Sequence, residues 1–584
     1  MRTILNIWSS HRNNLRKLFY SPACWPENSA GCVLALWGEA LNFSRREPLE
    51  LFGGRRSGET RCGSFLCGSP RDQDKNERAK ISIFSIERFY EKALIINIHP
   101  FILGFSIFFS CQSPTPDTTS QTESPPNVLF IAVDDLRPEL GCYGKDYIQS
   151  PNIDRLASHG LVFNRAYCQQ AVCSPSRTSL MTGLRPDSSH VYDLQTYFRD
   201  VVPSSVTTIS EHFIQQGYHA EFWGKIYHAA ILDSASWSVE GGNQDRRIEP
   251  QWPMENWRAY VTDESNAMAD QNDGGGPPYE RAVVPDTAYP DGIVAERAVG
   301  TLGKLSQRDQ PFFLGVGFYK PHLPFNAPQK YWDLYDPADI ELPNQDTPPD
   351  DAPDVALTNW GELRAYSLIP PEDNVSDTIA RNMIHGYRAC VSYTDAQIGK
   401  VLDELDRLGL RENTIIVLWG DHGWKLGDYG DWCKHTNFEL DTHSPLIISA
   451  PGMEVAGQQT DALVEFVDIY PSLCELAGLP SPNHLQGKSF VPLMNEPNQE
   501  WKQVALSQYP RQRGEVMGYS MRTDRYRYTR WQDTSGVTVA QELYNHESGP
   551  VAYQNLATST EYADTVQQLD DLLMEEWARS LTTN

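Results

Sequence analysis

An unbroken apolar run, Asn127–Val133, places the strongest constraint on the fold of this chain. A continuous apolar strand is buried on both faces, which is typical of a parallel sheet covered by helices. Further strand-like and helix-like segments alternate after it, at 220–224, 292–305, 311–318, 379–408 and 414–419. This alternation predicts an α/β sandwich built around a central, mostly parallel sheet, which we assign to residues 127–496.

The C-terminal part of the chain has a different pattern. Short alternating runs at 518–522 and 526–529 precede a helical pattern at 562–580. Residues 497–584 are therefore predicted to form a smaller α+β subdomain with an antiparallel sheet and one helix. Segments 235–290 and 335–378 are rich in Pro, Asp and Gly and are predicted to be long surface insertions.

The N-terminal part resembles a leader rather than a domain. Residues 1–92 show no sustained period, and we leave them as an unassigned extension or a start site set too far upstream. Segment 93–126 contains an apolar stretch at 101–109, too short to cross a bilayer, followed by Cys111 and a polar tether. A small residue before this cysteine resembles a bacterial lipoprotein site, although Phe108 stands where such signals usually carry leucine. We expect an exported periplasmic or cell-surface protein with a lipid anchor on Cys111, or else simple secretion.

The charge of the chain excludes one class of partner. The formal net charge is −27, so no basic surface is available to neutralise the phosphates of a nucleic acid. An acidic protein can still bind an anionic substrate where cations converge locally or a metal is bound. Eleven cysteines occur without a single CxxC pair, so the sequence gives no support for a zinc or thioredoxin-like site.

Acidic residues follow two of the predicted buried strands. Asp134 and Asp135 come directly after the first strand, and Asp421 and His422 follow the run 414–419. The carboxyl ends of parallel strands form the ligand-binding edge of such a sheet. Oxygen-only ligation at this edge predicts a metal site for calcium or magnesium.

Three segments that pair lysine with histidine also come after predicted strands or near them. They are Lys225 with His228, Lys320 with His322, and Lys434 with His435. Each pair alone is compatible with a solvated lysine and a structural histidine. Together, in an acidic chain, they predict a focused anion pocket.

The segment 171–183 combines a cysteine with signals for a helix start. Ser174 is suited to cap the helix, Pro175 fits its first turn, and Leu180 and Met181 are expected to face inward. Such an N-terminus is electropositive and favours an anionic group, or a thiolate at Cys173. A buried, inert cysteine before an ordinary helix is the alternative.

Residues 173–177 also match the C-x-P-S-R signature of the type I, formylglycine-dependent sulfatases, and residues 180–183 complete it. The chain resembles this family across nearly all of 127–560, and within it the branch that acts on 2-O-sulfated uronates. Further segments that carry the likeness are 133–138, 169–173, 185–187, 224–228, 320–322 and 421–424. The resemblance implies an alkaline-phosphatase-like fold.

The resemblance also implies roles for individual residues. A maturation enzyme would oxidise Cys173 to formylglycine (3-oxoalanine), the nucleophile. Calcium would be held by Asp134, Asp135, residue 173, Asp421 and His422. Arg177 and Lys225 would hold the hydrated aldehyde, Lys434 would bind sulfate, and His228 and His322 would transfer protons.

The expected function is hydrolysis of sulfate from a sulfated oligo- or polysaccharide, such as one with 2-O-sulfo-uronate units. Two alternatives remain open from the sequence. One is a phosphodiester or phosphonate ester hydrolase of the same superfamily. The other is a lipoprotein that binds sulfated glycans without turnover, with Cys173 unmodified.

Overall fold

The central feature of the fold is a seven-stranded sheet. It is seen in a computed structural model that describes residues 124–228, 231, 233–238, 260–272, 275–359 and 361–582. The strands of these residues are β1 Asn127–Val133, β2 Leu161–Tyr167, β3 His219–Gly224, β4 Tyr279–Ala282, β5 Phe312–Phe318, β6 Phe325–Pro328, β7 Thr414–Gly420, β8 Lys425–Leu426, β9 Trp432–Cys433, β10 Leu446–Ser449, β11 Gln458–Glu465, β12 Ala505–Arg511, β13 Val516–Arg522, β14 Tyr526–Asp533 and β15 Thr538–Asn545.

The order of the large sheet is β11-β2-β10-β7-β1-β5-β3. Strand β1 pairs in parallel with both β5 and β7, and β3 pairs in parallel with β5. Only β10 runs antiparallel to its neighbours in this sheet, β2 and β7. The predicted α/β class and the mostly parallel sheet are therefore confirmed.

Helices cover both faces of this sheet. The α-helices of the described residues are α1 Pro151–Ser158, α2 Cys173–Thr182, α3 Pro186–Ser189, α4 Phe198–Val201, α5 Ile209–Gln215, α6 Asp263–Gln271, α7 Pro290–Leu305, α8 Gln329–Trp332, α9 Gly361–Arg364, α10 Asp377–Arg407, α11 Glu439–Thr442, α12 Ile469–Leu476, α13 Val491–Asn495 and α14 Ala563–Ser580. Alternate residues of β1 enter different cores: Ile131 packs in the cluster that contains α7 and α10, and Phe130 in the cluster that contains α2 and α5. Burial on both faces explains why the strand is apolar throughout, since each large apolar side chain contributes about 1.5–3 kcal/mol.

The smaller sheet has the antiparallel order β12-β13-β14-β15, and α14 packs against it. Its strands are joined to the larger part by a hydrogen bond from Gln508 N to Gln169 O of 2.8 Å. The buried carboxylate of Glu439 also accepts hydrogen bonds from Arg522 and Arg527 of this sheet. A separate small antiparallel sheet near the C-terminus was expected from the sequence and is confirmed.

Several predictions fall outside the described residues. These are the extension 1–92, nearly all of the leader and tether 93–126 with Cys111, and a large part of the insertion 235–290. Within the part of the chain that the structure describes, no helix is long and apolar enough to cross a membrane.

Candidate active site

Four adjacent strands carry their functional residues to one edge of the large sheet. Asp134 follows β1 and donates its N–H to Phe318 O of β5 at 3.2 Å, and Asp421 follows β7 and donates to Val133 O at 3.2 Å. Lys225 follows β3 and donates to Gly317 O at 2.9 Å. Since these strands run in parallel, segments far apart in sequence meet at this edge.

The predicted metal ligands come together there. Two overlapping groups have ligand atoms that all lie within 4.8 Å of one another: Asp135, Cys173, Asp421 and His422, and Asp134, Asp135, Cys173 and His322. All of these residues are buried. Carboxylate oxygens dominate the donor set, and three buried carboxylates in contact favour a hard divalent cation between them. The residues present therefore fit calcium or magnesium.

Asp135 occupies the centre of this group. Its backbone has a left-handed conformation, with φ of 57°, which aspartate tolerates better than most residues. Its N–H donates to Asp421 Oδ1 at 3.0 Å, and its carbonyl accepts from the Tyr387 hydroxyl at 2.9 Å. Burial, together with the nearby carboxylates of Asp134 and Glu362, raises the pKa of Asp135 well above its usual range even though Lys434 opposes the shift. A cation at this position would relieve that repulsion.

Arg177 links two of the strand ends from helix α2. Its guanidinium, fully buried, donates to Asp421 Oδ2 at 2.9 Å and to Asp134 Oδ1 at 3.0 Å. It also donates to the carbonyls of Lys225 and Ile226 at 2.6 and 3.0 Å. Burial opposes the charge of Arg177, but the two carboxylates outweigh burial and raise its pKa further. Arg177 is thus a fixed positive charge at the start of α2.

Lys225 is positioned by a glycine. Gly224 has φ of +75°, and a Cβ there would lie 2.0 Å from Gly317 O, so only glycine fits the turn that leads out of β3. The Lys225 ammonium then donates to Asp134 Oδ2. Burial alone would raise the pKa of Asp134, but Lys225 and Arg177 hold it well below its ordinary value.

Lys434 follows β9 and donates to both Asp135 oxygens, at 3.1 and 3.0 Å. It also donates to Glu362 Oε1 at 2.9 Å. Sequence reasoning missed Glu362, because it lies in the Pro- and Asp-rich segment 335–378 that was expected to be a surface insertion, and no strand end marks it. Its short helix α9 does contain a buried Leu363, which was the available signal of a packed element.

The two histidines expected to transfer protons are both buried in this region. His322 Nδ1 lies 2.7 Å from Leu323 O, and His322 Nε2 lies 3.2 Å from Glu362 Oε1. Burial, reinforced by Lys434, lowers the pKa of His322 to about 3, and burial also lowers the pKa of His228 well below its usual value. Lys320 was predicted to contribute to an anion pocket, but its ammonium donates to the carbonyls of His322 and Pro324.

Cys173 is the first residue of α2 and is fully buried beside these charges. His422 Nε2 lies 3.4 Å from its Sγ. The predicted cap was wrong: the helix begins one residue before Ser174, with Val172 at the N-cap, and the buried Ser174 hydroxyl makes no hydrogen bond to any described residue. The expectation of a thiolate also fails, since burial raises the pKa of Cys173 well above its usual value. Leu180 and Met181 are buried, as expected.

The fold and this site define a hydrolase of the sulfatase and alkaline-phosphatase-like class. The solved structure of the phosphonate monoester hydrolase of Agrobacterium radiobacter is similar, with a TM-score of 0.64 at 22% identity, covering 78% of this chain and 96% of that chain. At this identity the likeness concerns the fold alone.

The chain belongs to the sulfatase family. The family model described as Sulfatase matches residues 126–479, and a second, N-sulphoglucosamine sulphohydrolase, C-terminal, matches residues 427–579. Among curated proteins, iduronate 2-sulfatase from Mus musculus is 34% identical over 76% of this chain and 93% of its own length. Iduronate 2-sulfatase from Homo sapiens is 33% identical over 80% of this chain and 98% of its own length. The predicted likeness to this branch is confirmed, and the protein is a sulfatase.

Proposed function

We propose that this sulfatase removes sulfate from a sulfated carbohydrate, using formylglycine formed from Cys173 and a bound calcium ion. The observation that carries the proposal is the meeting of Cys173 with Asp135, Asp421 and His422 within 4.8 Å, at the start of a helix flanked by Arg177 and Lys225. This arrangement combines a nucleophile position, a cation site and fixed positive charge. A sulfate monoester carries one negative charge, so attack at sulfur needs all three.

The buried thiol itself is poorly suited to attack. Its raised pKa keeps it protonated at neutral pH, and the thiolate is the reactive form of cysteine. A hydrated formylglycine would supply a hydroxyl nucleophile, activated by the cation, and a second hydroxyl through which the sulfate is later released. We therefore propose that residue 173 acts only after a maturation enzyme has modified it.

The neighbouring side chains take the remaining roles. Arg177 and Lys225 hold the modified side chain in place, and Lys434 binds the sulfate oxygens. Burial lowers the pKa of both His228 and His322. His322 is the candidate to protonate the departing sugar oxygen, and for that step its Nε2 must first take up a proton, because Nδ1 faces the Leu323 carbonyl. His228 is the candidate base for the remaining hydroxyl, and its buried Nδ1 makes no hydrogen bond to any of the described residues.

The cation would be held by Asp134, Asp135, Asp421, His422 and residue 173. Calcium is the preferred ion because the donors are mostly carboxylate oxygens in a dense cluster, and magnesium is the alternative. When bound, it would neutralise charge that develops on the attacked sulfate group.

The substrate class is proposed from the relatives. Both iduronate 2-sulfatases match most of this chain, which supports a 2-O-sulfated uronate within an oligo- or polysaccharide. The phosphonate monoester hydrolase shares the fold, so the alternative is hydrolysis of a phosphodiester or phosphonate ester.

Export remains a proposal from segment 93–126, with Cys111 as the lipid attachment residue. Labelled palmitate should be incorporated into the wild-type protein but not into Cys111→Ala.

The deciding experiment compares ester types and the state of residue 173. Protein from the native host is digested, and the mass of the peptide that contains residue 173 is measured by mass spectrometry to detect the aldehyde. Turnover of sulfated disaccharides is compared with that of matched phosphate and phosphonate esters. Cys173→Ala should abolish sulfate release and keep the fold, while Cys168→Ala, a buried neighbour, should remain active. An unmodified thiol in active enzyme, or faster phosphonate turnover, would overturn the proposal.

A further inference from the structure

Glu362 is a buried carboxylate that contacts three functional side chains at once. Its Oε1 lies 2.9 Å from the Lys434 ammonium and 3.2 Å from His322 Nε2. Its Oε2 lies 3.2 Å from His435 Nε2. The side chain is 3% exposed, so these contacts are made away from bulk water, where charged hydrogen bonds are strongest.

The helix that carries Glu362 is held firmly against the site. Leu363 is completely buried, and the Arg364 guanidinium donates to the carbonyls of Asn359 and Pro370 at 2.8 and 2.5 Å. His435, the third partner of Glu362, has its Nδ1 2.8 Å from the Tyr509 hydroxyl of strand β12. The carboxylate is thus fixed from its own segment and, through His435, from the small sheet.

Glu362 adds a fourth carboxylate to this part of the sheet edge. The side chains in ion-pair contact there include three carboxylates, Asp134, Asp135 and Asp421, and three cations, Arg177, Lys225 and Lys434. Burying a further carboxylate is costly unless it is paired, and Glu362 is paired with Lys434. Glu362 thus shares the Lys434 ammonium with Asp135.

The His322 ring is oriented by a hydrogen bond on the side away from Glu362. Its Nδ1 faces the Leu323 carbonyl at 2.7 Å and must carry the hydrogen there, because a carbonyl oxygen only accepts. The opposite nitrogen, Nε2, lies 3.2 Å from Glu362 Oε1 and 3.9 Å from Asp135 Oδ2, and it makes no hydrogen bond to a described residue. Nε2 is therefore directed into the site, next to Glu362 and Lys434.

We infer that Glu362 is a positioning residue for the sulfate monoester, holding the Lys434 ammonium in the place where it meets the substrate, next to Nε2 of His322. The inference rests on the proposed function of these two residues. Lys434 also contacts Asp135, which is a proposed ligand of the cation. Glu362 is a carboxylate partner of Lys434 outside the proposed ligand set, and it can hold the ammonium while Asp135 binds the cation.

The test compares Glu362→Gln and Glu362→Asp with wild type and with Glu542→Gln. Glu542 is a matched control, since it is a buried glutamate of the small sheet whose carboxylate accepts hydrogen bonds from the uncharged Trp531 and Tyr544. For each protein, kcat and KM are measured on a 2-O-sulfated disaccharide, and the dissociation constant of inorganic sulfate is measured by calorimetry. A lost charged hydrogen bond corresponds to a fall of roughly 10- to 100-fold in kcat/KM for Glu362→Gln.

The expected pattern is specific to positioning. Glu362→Gln should raise KM, lower kcat and weaken sulfate binding about tenfold, and Glu362→Asp, which keeps the charge, should recover part of each loss. Glu542→Gln should match wild type. If Glu362→Gln has the same kcat/KM and the same sulfate affinity as Glu542→Gln, the inference is wrong. If Glu362→Gln does not fold, Glu362→Asp becomes the test. A Glu362→Asp enzyme with a lowered melting temperature but wild-type KM and sulfate affinity would overturn the inference. A wild-type enzyme that hydrolyses no sulfate ester would instead reject the proposed function, while sulfate calorimetry would still test Glu362.

Discussion

Replacement of Arg177 by methionine provides a direct measure of the electrostatics of the site. The guanidinium is fully buried and donates to two carboxylates and two carbonyls. Methionine removes all four hydrogen bonds and leaves Asp421 without its cationic partner, while Asp134 keeps Lys225. Removing one partner of a buried ion pair costs about 3–5 kcal/mol, so we expect a loss of about 4 kcal/mol in the free energy of unfolding.

Calcium should reduce this loss, because a cation bound by the same carboxylates replaces part of the missing charge. Saturating calcium stabilises a folded protein by about 2.7 kcal/mol at a hundred times its dissociation constant. When calcium is added, we expect the difference in the free energy of unfolding between Arg177→Met and wild type to fall by at least about 1 kcal/mol. The assay is urea unfolding followed by tryptophan fluorescence, with and without calcium.

Arg185→Met is the matched control for this experiment. Arg185 is another buried arginine, paired with both oxygens of Glu465 at 2.7 and 3.0 Å. Its loss should also destabilise the protein, but calcium should not restore stability there. A loss below about 1 kcal/mol for Arg177→Met, or equal calcium effects on the two variants, would refute the reasoning.

Three further predictions use other parts of the chain. Asp421→Asn should weaken calcium binding at least about tenfold in calorimetry, because one negative charge of the donor set is lost; unchanged affinity would remove Asp421 from the site. Gly224→Ala should destabilise the protein and lower sulfatase activity, as its methyl group would lie 2.0 Å from Gly317 O, and a wild-type melting temperature would contradict this. Burial lowers the pKa of His546 to about 4 from an ordinary 6.5, so the unfolded chain takes up a proton first and stability falls as the pH drops through this range. Between about pH 7 and pH 5, urea unfolding should show that wild type loses about 2 kcal/mol more stability than His546→Asn, since other buried histidines contribute equally to both proteins.

The strand ends were predictable from the sequence because their chemistry is local. A short apolar run such as 128–133 is typical of a strand buried on both faces, and the residue that follows such a strand lies at the sheet edge. The same logic placed Asp421 beside Asp134, although 287 positions separate them along the chain. Because β1 pairs in parallel with β7, the residues that follow the two strands lie close together at the same edge of the sheet.

Glu362 and the cap of α2 were not predictable in this way. Glu362 reaches the site from a segment with no periodic pattern, and its position depends on the packing of Leu363 and the anchoring of Arg364. The N-cap was misplaced by two residues because Ser174 has the propensity of a cap, but its hydroxyl is buried and makes no capping hydrogen bond to a described residue. Tertiary contacts outweigh local propensity at both positions.

The surroundings of Cys173 support the proposal that residue 173 acts only after modification. Positive charge from Lys225 and Lys434 favours a thiolate there, but burial and the carboxylates of Asp134 and Asp421 oppose it more strongly. A pocket that excludes water and gathers carboxylates suits a cation and a neutral, hydroxylated nucleophile better than an anionic sulfur. The same features that make the cysteine unreactive as a thiol would therefore favour catalysis once the sulfur has been replaced by oxygen.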